Sequence, residues 1–91
     1  MKIQIPMGLV KLTGNQRVVE VEADTVRKAV AAVNELYPGF WDKIYAPDGR
    51  KRTIYRVFVD HQDIFAPGRL GSETPLSPDL EMMILYSPLS G

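Results

Sequence analysis

The sequence predicts an α+β fold in which a mixed sheet of four to five strands carries one main helix on one face. Three observations predict it. Two short runs of strand period flank a turn signature, one stretch has helical period, and β-rich runs then return without a second helix of comparable length.

Ile3, Ile5 and Met7 alternate with Lys2, Gln4 and Pro6, and Val19 and Val21 alternate with Glu20 and Glu22, so each run reads as a half-buried strand. Between them Thr13-Gly14-Asn15-Gln16 supplies residues that tolerate positive φ, which predicts a hairpin turn. Asp24-Thr25 then offers helix caps. Val26, Ala29, Val30, Val33, Leu36 and Tyr37 follow at three- and four-residue steps, the stripe of an amphipathic helix that Pro38-Gly39 terminates. Phe40, Trp41 and Ile44 predict a further short turn over the core. The segment Ala46 to Arg52 reads as a polar loop.

Ile54 to Val59 is rich in β-branched and aromatic residues, and Asp60-His61-Gln62-Asp63 reads as a tight turn into a short strand at Ile64-Phe65. After a loop containing Pro67-Gly68, Gly71 and Pro75, the last strand alternates Leu80, Met82, Ile84 and Tyr86 against Glu81, Met83 and Leu85. Its second face is apolar toward the end, where a solvated face should have turned polar. A hairpin, a helix acting as crossover, and further strands are the order of a ubiquitin-like, β-grasp fold. Residues 1–86 are expected to form one domain and residues 87–91 a flexible C-terminal tail.

The 91 residues suffice for one domain with a modest core. A formal net charge of zero gives no electrostatic reason to expect nucleic acid or an anionic membrane as partner. There is no cysteine, which excludes disulfides, thiolate metal sites and a catalytic thiol. The first residues lack the apolar core of a signal peptide, and apolar runs stop far short of a spanning helix, so a cytoplasmic location is expected.

His61 is the single histidine and sits beside Asp60 and Asp63 in a turn, too few converging ligands for a metal. The serines Ser72, Ser77, Ser87 and Ser90 lie outside any nucleophile-elbow pattern, and the glycines are too scattered for a phosphate-cradling loop. No catalytic residue, metal or bound cofactor is expected. Arg50-Lys51-Arg52 is the one basic cluster, either a solvated loop tip or a docking patch. The segment left without an account is the C-terminal tail, whose composition fits either ordinary fraying or a terminal carboxylate that works as a reacting group.

The chain resembles the MoaD/ThiS family of sulfur carrier proteins over nearly its whole length. The similarity lies in the order and spacing of Val19 to Val26, of Leu36-Tyr37-Pro38-Gly39, of Arg56 to Ile64, and of Thr74-Pro75-Leu76 with Glu81 to Leu85. The resemblance implies a protein cosubstrate rather than an enzyme. Its terminal glycine carboxylate would be adenylated with ATP by an enzyme of the ubiquitin-activating type. Sulfur would then replace AMP, and the thiocarboxylate would donate sulfide to a sulfur-accepting synthase subunit in molybdopterin, thiamine, cysteine or related biosynthesis.

Carried onto this chain, Gly91 is the modified residue and Pro88, Leu89 and Ser90 the threaded tail; glycine without Cβ passes a narrow channel and lets its carbonyl approach an attacking atom. The family ends in Gly-Gly, and this sequence departs from it. Aligned by length from Thr74-Pro75-Leu76, Ser90 replaces the penultimate glycine. Aligned by the proline-aliphatic-small-glycine order, the last glycine is missing. The second register is favoured here, and one residue less would withdraw the carboxylate by about 3.3–3.6 Å.

Met83 and Leu85, with Ile64 and Met7, are the candidate docking patch for the activating enzyme and the acceptor; burial under loops is the competing reading. The alternative function is a non-reactive β-grasp interaction module or noncatalytic subunit.

Overall fold

The structure, a computed structural model, describes residues 1–88. The tail residues Leu89, Ser90 and Gly91 lie outside the described residues. The elements in chain order are strand β1 (Lys2–Gln4), strand β2 (Val18–Glu20), helix α1 (Val26–Leu36), the short helix α2 (Phe40–Ile44), and strands β3 (Tyr55–Val59), β4 (Gln62–Asp63) and β5 (Glu81–Tyr86). Single 3-10 turns cover Met7–Leu9 and Gly71–Glu73.

The strands form one mixed sheet in the order β2-β1-β5-β3-β4. β5 is central. It runs parallel to β1, with Ile3 opposite Met82, and antiparallel to β3, with Val57 opposite Ile84. Inward-facing Ile3, Val19, Val57, Met82 and Ile84 meet Val26, Ala29, Val30 and Val33 of α1, and all nine are buried. The expected sheet with one main helix on one face is therefore present.

Local chemistry explains the boundaries. Thr25 caps α1, its Oγ1 accepting from the Lys28 backbone N–H at 3.3 Å. At the far end Gly39 takes φ of 101°, and the Asn34 side-chain oxygen accepts from the backbone N–H groups of Gly39 and Trp41 at 3.1 and 2.9 Å. That double acceptance turns the chain into α2, the short turn expected at Phe40 to Ile44.

Four expectations need correction. Met7 leaves the first strand, because Pro6 offers no N–H to continue the ladder, and sits on a 3-10 turn, 66% exposed. The predicted strand at Ile64-Phe65 lies two residues earlier, at Gln62–Asp63. Asp60 and His61 both adopt positive φ and close a two-residue turn, which places Gln62 opposite Val59. Ile64 then falls on the core side, donates its N–H to Val57 O at 3.1 Å and is 1% exposed, so it is a core residue and no part of a docking patch. Tyr86, read with the inward set of β5, is instead exposed and tilts against the Tyr55 ring at 5.8 Å between centroids.

Candidate functional site

The face of the sheet turned away from α1 is built by alternation. Val18, Gln4, Met83, Phe58 and Asp63 stand in register as one row crossing all five strands. On one side of this row lie Glu20, Lys2 and Glu81, and on the other Leu85 opposite Arg56. Met83 and Phe58 are half-buried, while Val18 and Leu85 are exposed. The face thus presents apolar side chains within a polar surround, the composition of a recognition surface.

Of the four residues expected in a docking patch, the structure puts Met83 and Leu85 on this face. Met7 is exposed on the turn after β1, and Ile64 is in the core. Two members escaped notice in the sequence. Val18 and Phe58 share the face with Met83, and the alternation of Tyr55-Arg56-Val57-Phe58-Val59 carried the signal: with Val57 inward, Phe58 points out.

The basic cluster is largely structural. Lys51 Nζ donates to the carbonyls of Arg52 and Tyr55 at 3.0 and 2.5 Å and lies 5.0 Å from the centre of the Phe65 ring. Burial pushes its pKa below the usual lysine value, Asp63 opposes that shift, and Arg56 adds to it. Arg52 Nε donates to Asp42 O at 2.7 Å, fastening the loop to α2. Arg50 is the exposed member, 3.9 Å from Asp48. Arg56 pairs with Asp63 at 3.1 Å at the edge of the open face.

A buried polar contact supports the opposite side of the molecule. Tyr45, 1% exposed, shares a 2.6 Å hydrogen bond between its hydroxyl and Ser72 Oγ, and its ring stacks on Trp41 at 4.3 Å. Desolvation raises the Tyr45 pKa, against the smaller lowering effect of the Ser72 bond and of Arg27. His61 stays in its turn, and among the described residues no group of three or more His, Cys, Asp or Glu is placed to hold a metal ion.

β5 carries the chain toward the predicted tail. Tyr86 still pairs with Tyr55, and the Ser87 N–H donates to Ile54 O at 2.7 Å, so the backbone is held to the sheet up to that residue. Beyond Ser87 the sequence continues as Pro88-Leu89-Ser90-Gly91. Among the described residues no helix is long and apolar enough to cross a membrane.

No family model and no curated protein matches the sequence. Solved structures do match its fold. A chain of the Amycolatopsis orientalis BexX/CysO complex superposes with a TM-score of 0.86 at 22% identity, covering 99% of this chain and 98% of that one. CysO of Mycobacterium tuberculosis, described as an antigen, gives 0.86 at 23% identity over 94% and 97%. Small archaeal modifier protein 1 of Haloferax volcanii gives 0.67 at 21% identity over 96% and 95%. At these identities the likeness establishes the fold: the chain is a ubiquitin-like β-grasp domain.

Proposed function

We propose that this protein is a sulfur carrier of the ubiquitin-like type, a protein cosubstrate whose C-terminal glycine carboxylate, Gly91, is activated and converted to a thiocarboxylate. The observation that carries the reading is the delivery of the chain end. A central strand paired on both sides and held through Ser87 leads directly into Pro88, Leu89, Ser90 and Gly91, which are small or aliphatic. The named neighbours support it, one being called a modifier and another crystallised in a BexX/CysO complex.

In this reading a carboxylate oxygen of Gly91 attacks the α-phosphorus of ATP on an adenylating partner of the ubiquitin-activating type, and pyrophosphate leaves. A sulfur nucleophile then adds to the acyl carbon and AMP departs. A carboxylate is a poor electrophile until it carries such a leaving group. The thiocarboxylate then passes its sulfur to a biosynthetic acceptor, a synthase subunit. Docking falls to the open sheet face around Met83, Leu85, Phe58 and Val18, with Pro88, Leu89 and Ser90 threaded into the partner. ATP-dependent activation suits a cytoplasmic carrier.

The test is the intact mass of the untagged protein isolated from its own cells. A fraction heavier by the difference between sulfur and oxygen is expected, either on Gly91 or on one further glycine. Protein that ends at Gly91 with no modified fraction, and that is adenylated no better after a glycine is appended, would overturn the reading in favour of a non-reactive interaction module.

A further inference from the structure

Lys2, Lys11, Lys28 and Lys43 are exposed, whereas Lys51 is half-buried on a hollow of about 360 Å³. Phe65 and Pro67 form the apolar wall of this hollow, and Thr53, Arg56 and Asp63 contribute its polar groups. Lys51 Nζ lies 5.0 Å from the centre of the Phe65 ring and donates to the carbonyls of Arg52 and Tyr55. An ammonium has three donors, and the two carbonyls take two of them. The third has no hydrogen-bond acceptor among the described residues.

Loss of that third proton breaks neither bond. The neutral amine keeps two N–H groups, enough for both carbonyls, and its lone pair takes the place of the third donor. The nitrogen is thereby oriented as a nucleophile. Its surroundings favour the neutral form as well: burial is the main cause of a lowered Lys51 pKa, Asp63 opposes it and Arg56 adds to it. Asp63 is itself held by Arg56 at 3.1 Å, and Arg52 of the same loop is tied to Asp42 O. Desolvation beside a second cation is a recognised way to activate a lysine amine.

We propose that Lys51 is a site of acylation by acyl phosphates, with the hollow holding the donor. The volume lies within the roughly 300–1,000 Å³ of small-molecule sites. The wall of Phe65 and Pro67 suits the acyl chain. Asp63 engages Arg56 through Nη1, so the guanidinium keeps further donors for the phosphate, beside the Thr53 hydroxyl. The Lys51 lone pair attacks the acyl carbon and forms the N–C bond. The C–O bond to phosphate breaks, phosphate leaves with that electron pair, and the proton lost from nitrogen passes to water. The product is an uncharged amide with a single N–H, for which the carbonyls of Arg52 and Tyr55 must compete. Ile54 lies between those two residues, and its carbonyl accepts the Ser87 N–H at 2.7 Å. Acylation therefore loosens the segment that holds the end of β5. None of this depends on the carrier reading.

The probe is acetyl phosphate, added to the full chain near neutral pH, with acetylation of each lysine followed in time by peptide mass spectrometry. The four exposed lysines serve as internal references. Lys51 should react at least about fivefold faster than their mean, since the neutral fraction of an amine rises about tenfold for each unit by which its pKa falls. Inorganic phosphate should slow Lys51 and leave the others unchanged, and acetic anhydride, which carries no phosphate, should show a smaller preference. A rate at Lys51 equal to or below that of the exposed lysines would overturn the proposal, because a shielded ammonium with a purely structural role gives that result. A preference that phosphate does not reduce, or that is as large with acetic anhydride, would overturn it too by removing the hollow from the reaction. In protein acetylated at Lys51 the Ser87 amide proton should exchange faster, and unchanged exchange would refute the loosening of β5.

Discussion

Tyr45→Phe removes one buried oxygen and leaves the rest of its setting intact, which makes its cost calculable. The ring keeps its stacking on Trp41 and its place under Arg27, 5.9 Å from the ring centre. What is lost is the 2.6 Å bond to Ser72 Oγ, on a serine only 9% exposed. The net bond is worth about 0.5–1.5 kcal/mol, and stranding a buried hydroxyl adds to that, so the expected destabilisation is about 2 kcal/mol. For a domain of this size, about 4–8 °C per kcal/mol gives a fall in Tm of roughly 8–16 °C. Ser72→Ala strands the tyrosine hydroxyl instead and should cost a similar amount. The double variant strands neither, so it should lose less than the two single changes added together, with a coupling of about 1 kcal/mol or more. Urea unfolding of the four proteins measures the cycle. Additive losses would refute the reasoning, because they would mean that the bond between the two hydroxyls carries no stability.

Three further outcomes follow from the same structure. Burial raises the pKa of Tyr45 and of Tyr55, so the unfolded chain gives up its phenolic protons first, near pH 10; the stability these groups hold below that pH is lost as pH rises toward their folded values. Lys51, lowered by burial, acts in the opposite sense as pH rises through its folded pKa toward 10.5. Tm measured against alkaline pH should therefore fall less steeply in Tyr45→Phe than in the unaltered chain, and parallel curves would contradict this. Gly39→Ala brings its new Cβ only to ordinary van der Waals contact, 3.7 Å from Leu12 Cδ1, so its cost is the left-handed backbone alone, about 1–2 kcal/mol by denaturant unfolding. Leu85→Asp places a carboxylate on the open face opposite Arg56 and should change stability by less than about 1 kcal/mol; under the proposed carrier function it should also abolish thiocarboxylation in cells, and a large fall in Tm, or a thiocarboxylated fraction left intact, would remove Leu85 from the proposed docking surface.

Much of the fold could be read locally because its signals are local. The Thr25 cap, the stripe from Val26 to Val33 and the Gly14-Asn15 turn each depend on residues within one or two turns of the chain. What escaped reading depends on pairing across distance. The place of Ile64 in the core is set by its bond to Val57, seven residues away across a tight turn, and nothing in the local sequence announces that pairing. Strand order, with β5 between β1 and β3, has no local signature. The tie between Tyr45 and Ser72 spans 27 residues, and Lys51 looked like a solvated cation because nothing near it in sequence announces that two carbonyls and an aromatic ring enclose it. At the candidate site Met83 and Leu85 were legible as an apolar second face, whereas Val18 joins their row only through the pairing of β2 with β1 and of β1 with β5.

The central position of β5 has a bearing on how the molecule is made. Synthesis delivers β1 with β2, and later β3 with β4, as two separate antiparallel pairs, while the sheet contains no pairing of β1 with β3. The strand that joins them comes after both. Until residues 81–86 leave the ribosome the two pairs have no ladder between them, and each is a short hairpin of the kind that is marginal alone. Closure of the sheet therefore waits for the last strand, and a product cut short before Glu81 lacks the one strand that both pairs share.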